Sequence, residues 1–286
     1  MRFVRFKIDS TEGLAVLTAG GARGLLSTQS GYPGNLDSLI TKGADALRAA
    51  GEALASAPHI DLSKAAYLPP FGAPEKVICV GLNYRDHSAE SGFKQPDYPT
   101  LFTRFNSSLI GHGAPIVKPR ISDSLDYEGE LVAVIGTGGR HIAKDKALDH
   151  IAGYSIFNDA SVRDYQFKSP QWTVGKNFDD TGAFGPSFVT ADELPAGAKG
   201  LKLTTRLNGT VMQQTTTDDM VFDVATLVAT ISEAITLKAG DVIVTGTPSG
   251  VGQSRKPPVW MKAGDLVEVE IEKIGVLSNR VAAERA

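Results

Sequence analysis

Short apolar runs rich in β-branched residues punctuate this chain, and they constrain its fold more than any other feature. Val77-Ile-Cys-Val80, Leu131-Val-Ala-Val-Ile135 and Val242-Ile-Val244 all read as strands. With weaker patterns they predict strands at 77–81, 101–105, 130–136, 153–158, 186–189, 201–207, 242–246 and 266–272. Helical patterns in the same stretch fall at 83–91, 145–150, 160–168 and 223–235. Strands outnumber helices and do not alternate strictly with them. The pattern therefore predicts a strand-rich α+β fold with an antiparallel or mixed sheet, not a doubly wound one. Asn208-Gly209 marks a hairpin turn, since both residues tolerate positive φ.

Residues 1–70 read differently. Strands are expected near 2–8 and 14–18, then a helix from Asp37 to Ala55, on the spacing of Leu36, Leu39, Ile40, Ala44, Leu47 and Ala50. The prolines of Tyr67-Leu-Pro-Pro-Phe-Gly-Ala-Pro74 forbid regular structure and predict a linker. The expected division is a small N-terminal α/β domain over 1–70 and a main domain over 71–286.

Composition excludes some functions. A net charge of −3 leaves no basic excess to hold a phosphate backbone, so nucleic acid is not an expected partner. No stretch approaches the length of a membrane span, and the N-terminal Met-Arg-Phe-Val-Arg-Phe-Lys-Ile reads as a strand rather than a signal segment. The single cysteine, Cys79, lies in an apolar run and reads as a small buried hydrophobe. One cysteine forms no internal disulfide, which fits a reducing cytoplasm, the expected location.

The chemistry begins at Asp126-Tyr-Glu128-Gly-Glu130, which runs directly into Leu131-Val-Ala-Val-Ile. Glu128 and Glu130 are two apart and share one face of a strand. Carboxylates that close repel, and either solvent or a divalent cation answers the repulsion. Asp159 ends another strand-like run, where its alternative role is to cap a helix starting at Ser161. Three oxygen donors without a His or Cys cluster suit Mg²⁺ or Mn²⁺ rather than Zn²⁺. His87 and Glu90 are three apart and can touch on a helical turn, as a general base or as an exposed ion pair. Lys176, among apolar and small neighbours, reads as a charge-neutralising group or as a surface lysine. The Thr245-Gly-Thr247-Pro-Ser-Gly-Val-Gly252 loop follows a strand and offers hydroxyls and backbone N–H groups. It is neither a Walker loop nor a Rossmann fingerprint. Among the other histidines, His112 is a second-rank candidate and reads as a loop residue; no nucleophile elbow occurs.

Together and in this order, Cys79-Val-Gly-Leu-Asn-Tyr-Arg-Asp-His87, Asp126-Tyr-Glu-Gly-Glu130-Leu, Asn158-Asp-Ala-Ser-Val-Arg-Asp-Tyr-Gln166, Lys176-Asn-Phe and the threonine loop resemble the fumarylacetoacetate hydrolase family over about residues 75–283. The resemblance implies a β-roll-like mixed sheet core with short peripheral helices, and usually a homodimer. It implies Mg²⁺ or Mn²⁺ on Glu128, Glu130 and Asp159, catalysis by His87, Glu90 and Lys176, and substrate contacts from Gln166 and Thr247. Arg85 and Tyr165, with Arg104 and Arg163, lie near these motifs and read equally as candidates for a second carboxylate or as surface or structural residues. The implied substrates are small 2-oxo or diketo acids, and the shared step is an enolate beside a carboxylate, held on the metal. Carbon–carbon bond hydrolysis of acylpyruvates leads. Oxaloacetate decarboxylation or tautomerisation, or isomerisation of hydroxymuconates, comes second, and a non-catalytic binding protein third.

Overall fold

The computed structural model describes residues 1–90 and 95–285, and of residues 87–89 the backbone alone. Two sheets carry the molecule. The larger has eleven strands. Nine run in the order Gly21–Leu26, Thr11–Thr18, Arg2–Ile8, Gly182–Thr190, Ile151–Asp159, Gly129–Ile135, Val242–Val244, Val77–Gly81 and Thr100–Thr103, while Ala66–Tyr67 pairs with Arg2–Ile8 and Leu109–Ile110 with Gly182–Thr190. The five-stranded sheet runs Thr210–Thr216, Lys202–Leu207, Leu266–Ile271, Gly275–Ala283 and Ile116–Lys118. Pairing is mostly antiparallel, with Val242–Val244 parallel to Val77–Gly81. The fold is thus mixed α+β and strand-rich.

Strand alternation sorts the core into two layers. Val77, Cys79, Val132, Val134, Phe157 and Val244 pack with Leu36, Leu39, Ile40, Leu47 and Leu54 of the N-terminal helices. Ile78, Val80, Leu131, Ala133 and Ile156 point the other way. They meet Leu203, Val267, Val269 and Leu277 of the second sheet and Leu227 and Ile231 of the helix Val224–Ala234. Each buried Val, Leu, Ile or Phe among them contributes roughly 1.5–3 kcal/mol by leaving water, so the central strands are fixed from both faces. Residues 1–26 join the large sheet directly, through the pairs Arg2↔Val189 and Phe3↔Phe188.

Local differences from the sequence pattern have clear causes. The helix expected over 37–55 is two helices, Leu36–Thr41 and Ala44–Ala55, because Gly43 between them takes a φ of 91°. The hairpin at Asn208-Gly209 forms, with φ of 52° and 79°. The helix expected over 160–168 is cut to Arg163–Gln166, because Ser161–Val162 pairs instead with Leu125–Asp126. Asp159 therefore caps no helix at Ser161.

Candidate active site

The register of two neighbouring strands builds the acidic cluster. Gly129 lies opposite Asn158, so Glu128 and Asp159 face each other across the antiparallel pair, with the Asp159 N–H donating to the Glu128 carbonyl at 2.9 Å. Glu130 is two residues on and shares the Glu128 face. One oxygen from each of the three carboxylates lies within 4.8 Å of the others, and all three residues are buried. These three are brought together by pairing alone, before any helix is added.

Two short helices supply two of the three cations. Lys176 ends Thr173–Lys176 and is 2% exposed. Its Nζ donates to Glu128 Oε2 and to Asp159 Oδ2, both at 2.6 Å, and lies 4.8 Å from the Phe102 ring centre. Arg163 opens Arg163–Gln166 and reaches Asp126 Oδ2 at 2.9 Å, Glu128 Oε1 at 2.6 Å and Gln166 Oε1 at 2.9 Å. Gly175 makes this approach possible: a Cβ there would lie 2.3 Å from the Gln166 backbone nitrogen. Arg104 donates to Asp159 Oδ1, to the Ala160 carbonyl and to Thr181 Oγ1. Unpaired charge is costly in such a setting, so each buried acid except Glu130 sits against a cation.

Glu130 is the exception. It accepts the Gly246 N–H at 2.5 Å. Burial, and then the neighbouring Asp159 and Glu128 charges, push its pKa well above the usual carboxylate range, against the pull of Lys176 and the Gly246 N–H. For Lys176, burial lowers the pKa, but the Asp159 and Glu128 charges outweigh it and hold the ammonium above the ordinary lysine value. Four buried carboxylates thus meet three buried cations. The donor set is all oxygen and carries excess negative charge, which fits a hard divalent cation on Glu128, Glu130 and Asp159.

Glu128, Glu130, Gln166, Lys176 and Thr247 line a cavity of about 400 Å³. Asp159 lies a layer deeper, fully buried. Thr247 donates to the Gly129 carbonyl at 3.0 Å and accepts from Gln213 Nε2 at 2.8 Å. Glu90 stands at the mouth and accepts the Gly250 N–H at 2.8 Å. The helix Arg85–Glu90 carries His87, whose side chain lies outside the described residues. Arg85 lines a different cavity, with Asp218 and Asp219. Tyr165 stacks edge-on against Phe178 beneath Lys168. His112 accepts the Ser278 N–H and packs on Tyr67, away from the cavity.

Some residues escaped sequence reasoning. Gln213 bridges Gly129 N–H and Thr247 from a hairpin far along the chain, and carries no local signal. Asp126 accepts from Tyr127, Gly252 and Gln253 N–H groups as well as Arg163, tying the acidic strand to the loop after Gly250. Its place in the acidic run was the available clue.

A strand-built carboxylate triad with a buried lysine, in a cavity walled by the large sheet, short helices and the loop over 247–258, defines a metal-compatible site for small organic acids. The chain belongs to the fumarylacetoacetate hydrolase family. It matches the family described as "Fumarylacetoacetate (FAA) hydrolase C-terminal" over residues 76–282. It is 40% identical to rat "Oxaloacetate tautomerase Fahd2a, mitochondrial" over 98% of this chain and 91% of that protein. Among solved structures it resembles the fumarylacetoacetate hydrolase from Exiguobacterium antarcticum, with 37% identity, a TM-score of 0.82, and 99% and 100% of the two chains covered. It also resembles maleylpyruvate hydrolase from Sphingobium sp. SYK-6 in complex with manganese(II) and pyruvate, at 28% identity, a TM-score of 0.81 and full coverage of both chains. No helix among the described residues is long and apolar enough to cross a membrane.

Proposed function

We propose that this protein interconverts the keto and enol forms of a small 2-oxo dicarboxylic acid, with oxaloacetate as the leading substrate. The observation that carries the reading is the cavity whose inner end joins Glu128 and Glu130 to Lys176, with Asp159 behind. The rat relative named for oxaloacetate tautomerisation supports the choice among enol chemistries. Glu128, Glu130 and Asp159 are the residues that would hold Mg²⁺ or Mn²⁺. The cation would supply Lewis acidity toward the 2-oxo acid end of the substrate.

The chain's own groups cover the rest. Enolisation breaks the C3–H bond, forms C2=C3, moves the C2=O π pair onto that oxygen and puts a proton there; ketonisation takes the oxygen's proton away and delivers one to C3. Glu90 at the mouth, with His87 one helical turn before it, is the pair assigned to carry that proton. Lys176 has three N–H donors and commits two to Glu128 and Asp159. Its fixed positive charge stabilises developing negative charge on the substrate without reorganisation. Thr247 and Gln166 are held by hydrogen bonds to Gln213 and Arg163, which pre-sets them as cavity walls.

The test is the ketonisation of enol-oxaloacetate, followed by absorbance, with Mg²⁺, with Mn²⁺ and after chelation. Acceleration over the blank that chelation abolishes is the expected result; none under any condition would sink the reading. A second reading, hydrolysis of acylpyruvates, is favoured by the likeness to the maleylpyruvate hydrolase. It adds one demand, activation of a water by His87. Loss of acylpyruvate absorbance with release of pyruvate would select it.

A further inference from the structure

Buried acids hold the cavity's cations at its inner end, with one Lys176 N–H left for the reacting end of the substrate. Lys176 and Arg163 line the cavity, yet both are committed to Glu128, Asp159 and Asp126. Arg104 is buried behind them and bound to Asp159. A substrate carrying a second carboxylate must find its positive charge elsewhere.

Two cations remain at the rim, Arg255 and Lys256. Arg255 turns inward. Its Nη2 donates to the Met212 carbonyl at 2.7 Å, and its guanidinium also reaches the Gly250 carbonyl at 3.4 Å. It clamps the loop. Lys256 is exposed and, among the described residues, is the cavity-lining cation with neither an ion pair nor a hydrogen bond.

The backbone beneath Lys256 is fixed. Gly252 and Gln253 N–H groups donate to Asp126 at 2.8 and 3.0 Å, and the Arg255 and Val259 N–H groups close back onto the Gly252 carbonyl at 3.3 and 3.0 Å. Gly250 N–H is held by Glu90. Pro257 and Pro258 follow, each with restricted φ. Ordering Lys256 on a ligand therefore costs side-chain freedom alone, not loop freedom.

We infer that Lys256 binds the distal carboxylate of a dicarboxylic substrate and sets a preference for diacids over monoacids. The inference rests on the 2-oxo acid reading above. The 2-oxo acid end lies at Glu128 and Glu130, and the far carboxylate meets the ammonium at the mouth. Asp126 is the positioning residue: the carboxylate that ties down Gly252 and Gln253 also orients Arg163 beside Glu128. One side chain thereby ties the loop that carries Lys256 to the arginine beside Glu128.

A matched pair of probes tests this: enol-oxaloacetate and its 4-ethyl ester, which keeps the 2-oxo acid and lacks the distal charge. The preference of the wild type for the diacid, as a ratio of kcat/KM, should fall about two- to fivefold in Lys256→Gln, the size of an exposed ion pair. The loss should appear in KM rather than kcat. Lys256→Arg should restore most of the preference, and the wild-type preference should shrink as salt rises. An unchanged ratio in Lys256→Gln, with wild-type turnover of both probes, overturns the inference and leaves the tautomerase reading standing. A wild type silent on both probes removes the reading, and the inference with it.

Discussion

The two ends of the cavity are built on opposite terms. At the inner end Glu128, Glu130, Asp159 and Lys176 are all buried, and cations and acids are interleaved at 2.5–2.9 Å. At the mouth Glu90 and Lys256 face solvent, and what is fixed there is the backbone, through Asp126 and Arg255. The low dielectric of the inner end magnifies each charge, which suits stabilising an enolate. The wet mouth weakens each charge, which suits discriminating between substrates without trapping them. Stability should therefore depend on the inner end and selectivity on the rim.

Breaking the inner end should have the largest effect. Arg104→Met strips the buried Asp159 of one of its two cations, leaving Lys176 alone to balance it, and should cost about 3–5 kcal/mol of stability in urea unfolding. A loss under 1 kcal/mol would show that the cluster is not electrostatically tight. Next, Glu130→Gln removes a charged oxygen from the triad. Removing a group that only orients a ligand costs roughly 10–100-fold in metal affinity, so this change should weaken Mn²⁺ binding by at least about that much in a calorimetric titration. Equal affinity would move the cation elsewhere.

Smaller changes sharpen the contrast. Gly175→Ala forces a Cβ against the Gln166 backbone and should cost about 1–3 kcal/mol, with activity falling as the Arg163 and Lys176 helices separate. Remote from both ends, Asp223 caps the helix Val224–Ala234. Burial raises its pKa, but hydrogen bonds from Thr226 and the Lys199 charge hold it down to about 2. Its folded pKa lies below the unfolded one, so its contribution is present above about pH 4 and fades as pH falls toward 2. Asp223→Ala should cost about 1 kcal/mol at neutral pH and progressively less in acid melts. Smallest of all, Lys256→Gln should leave unfolding stability within about 0.5 kcal/mol of the wild type, since its side chain has no partner among the described residues.

Much of the inner end was legible because its signals are local. Glu128 and Glu130 announce a shared face by their spacing, and Asp159 marks a strand end. Arg104 and Arg163 could be placed near the motifs, but not recognised as counter-ions of Asp159 and Glu128, since those pairs form only across the fold. The final strand, Gly275–Ala283, was missed for a related reason. Its inward positions are Leu277, Asn279 and Val281, and the buried Asn279 interrupts the apolar alternation; it is satisfied by the Gly111 and Ala114 carbonyls, invisible to a local pattern.

The sequence by itself determined the central strands, their faces and the acids of the candidate site, because period-two alternation and residue chemistry are local properties. Only the tertiary structure decided which charges meet. It spends Lys176, Arg163 and Arg104 on buried carboxylates and leaves Lys256 open at the mouth. The physical reason is desolvation: a charge must find a partner when folding buries it, and burial is a property of the packed whole.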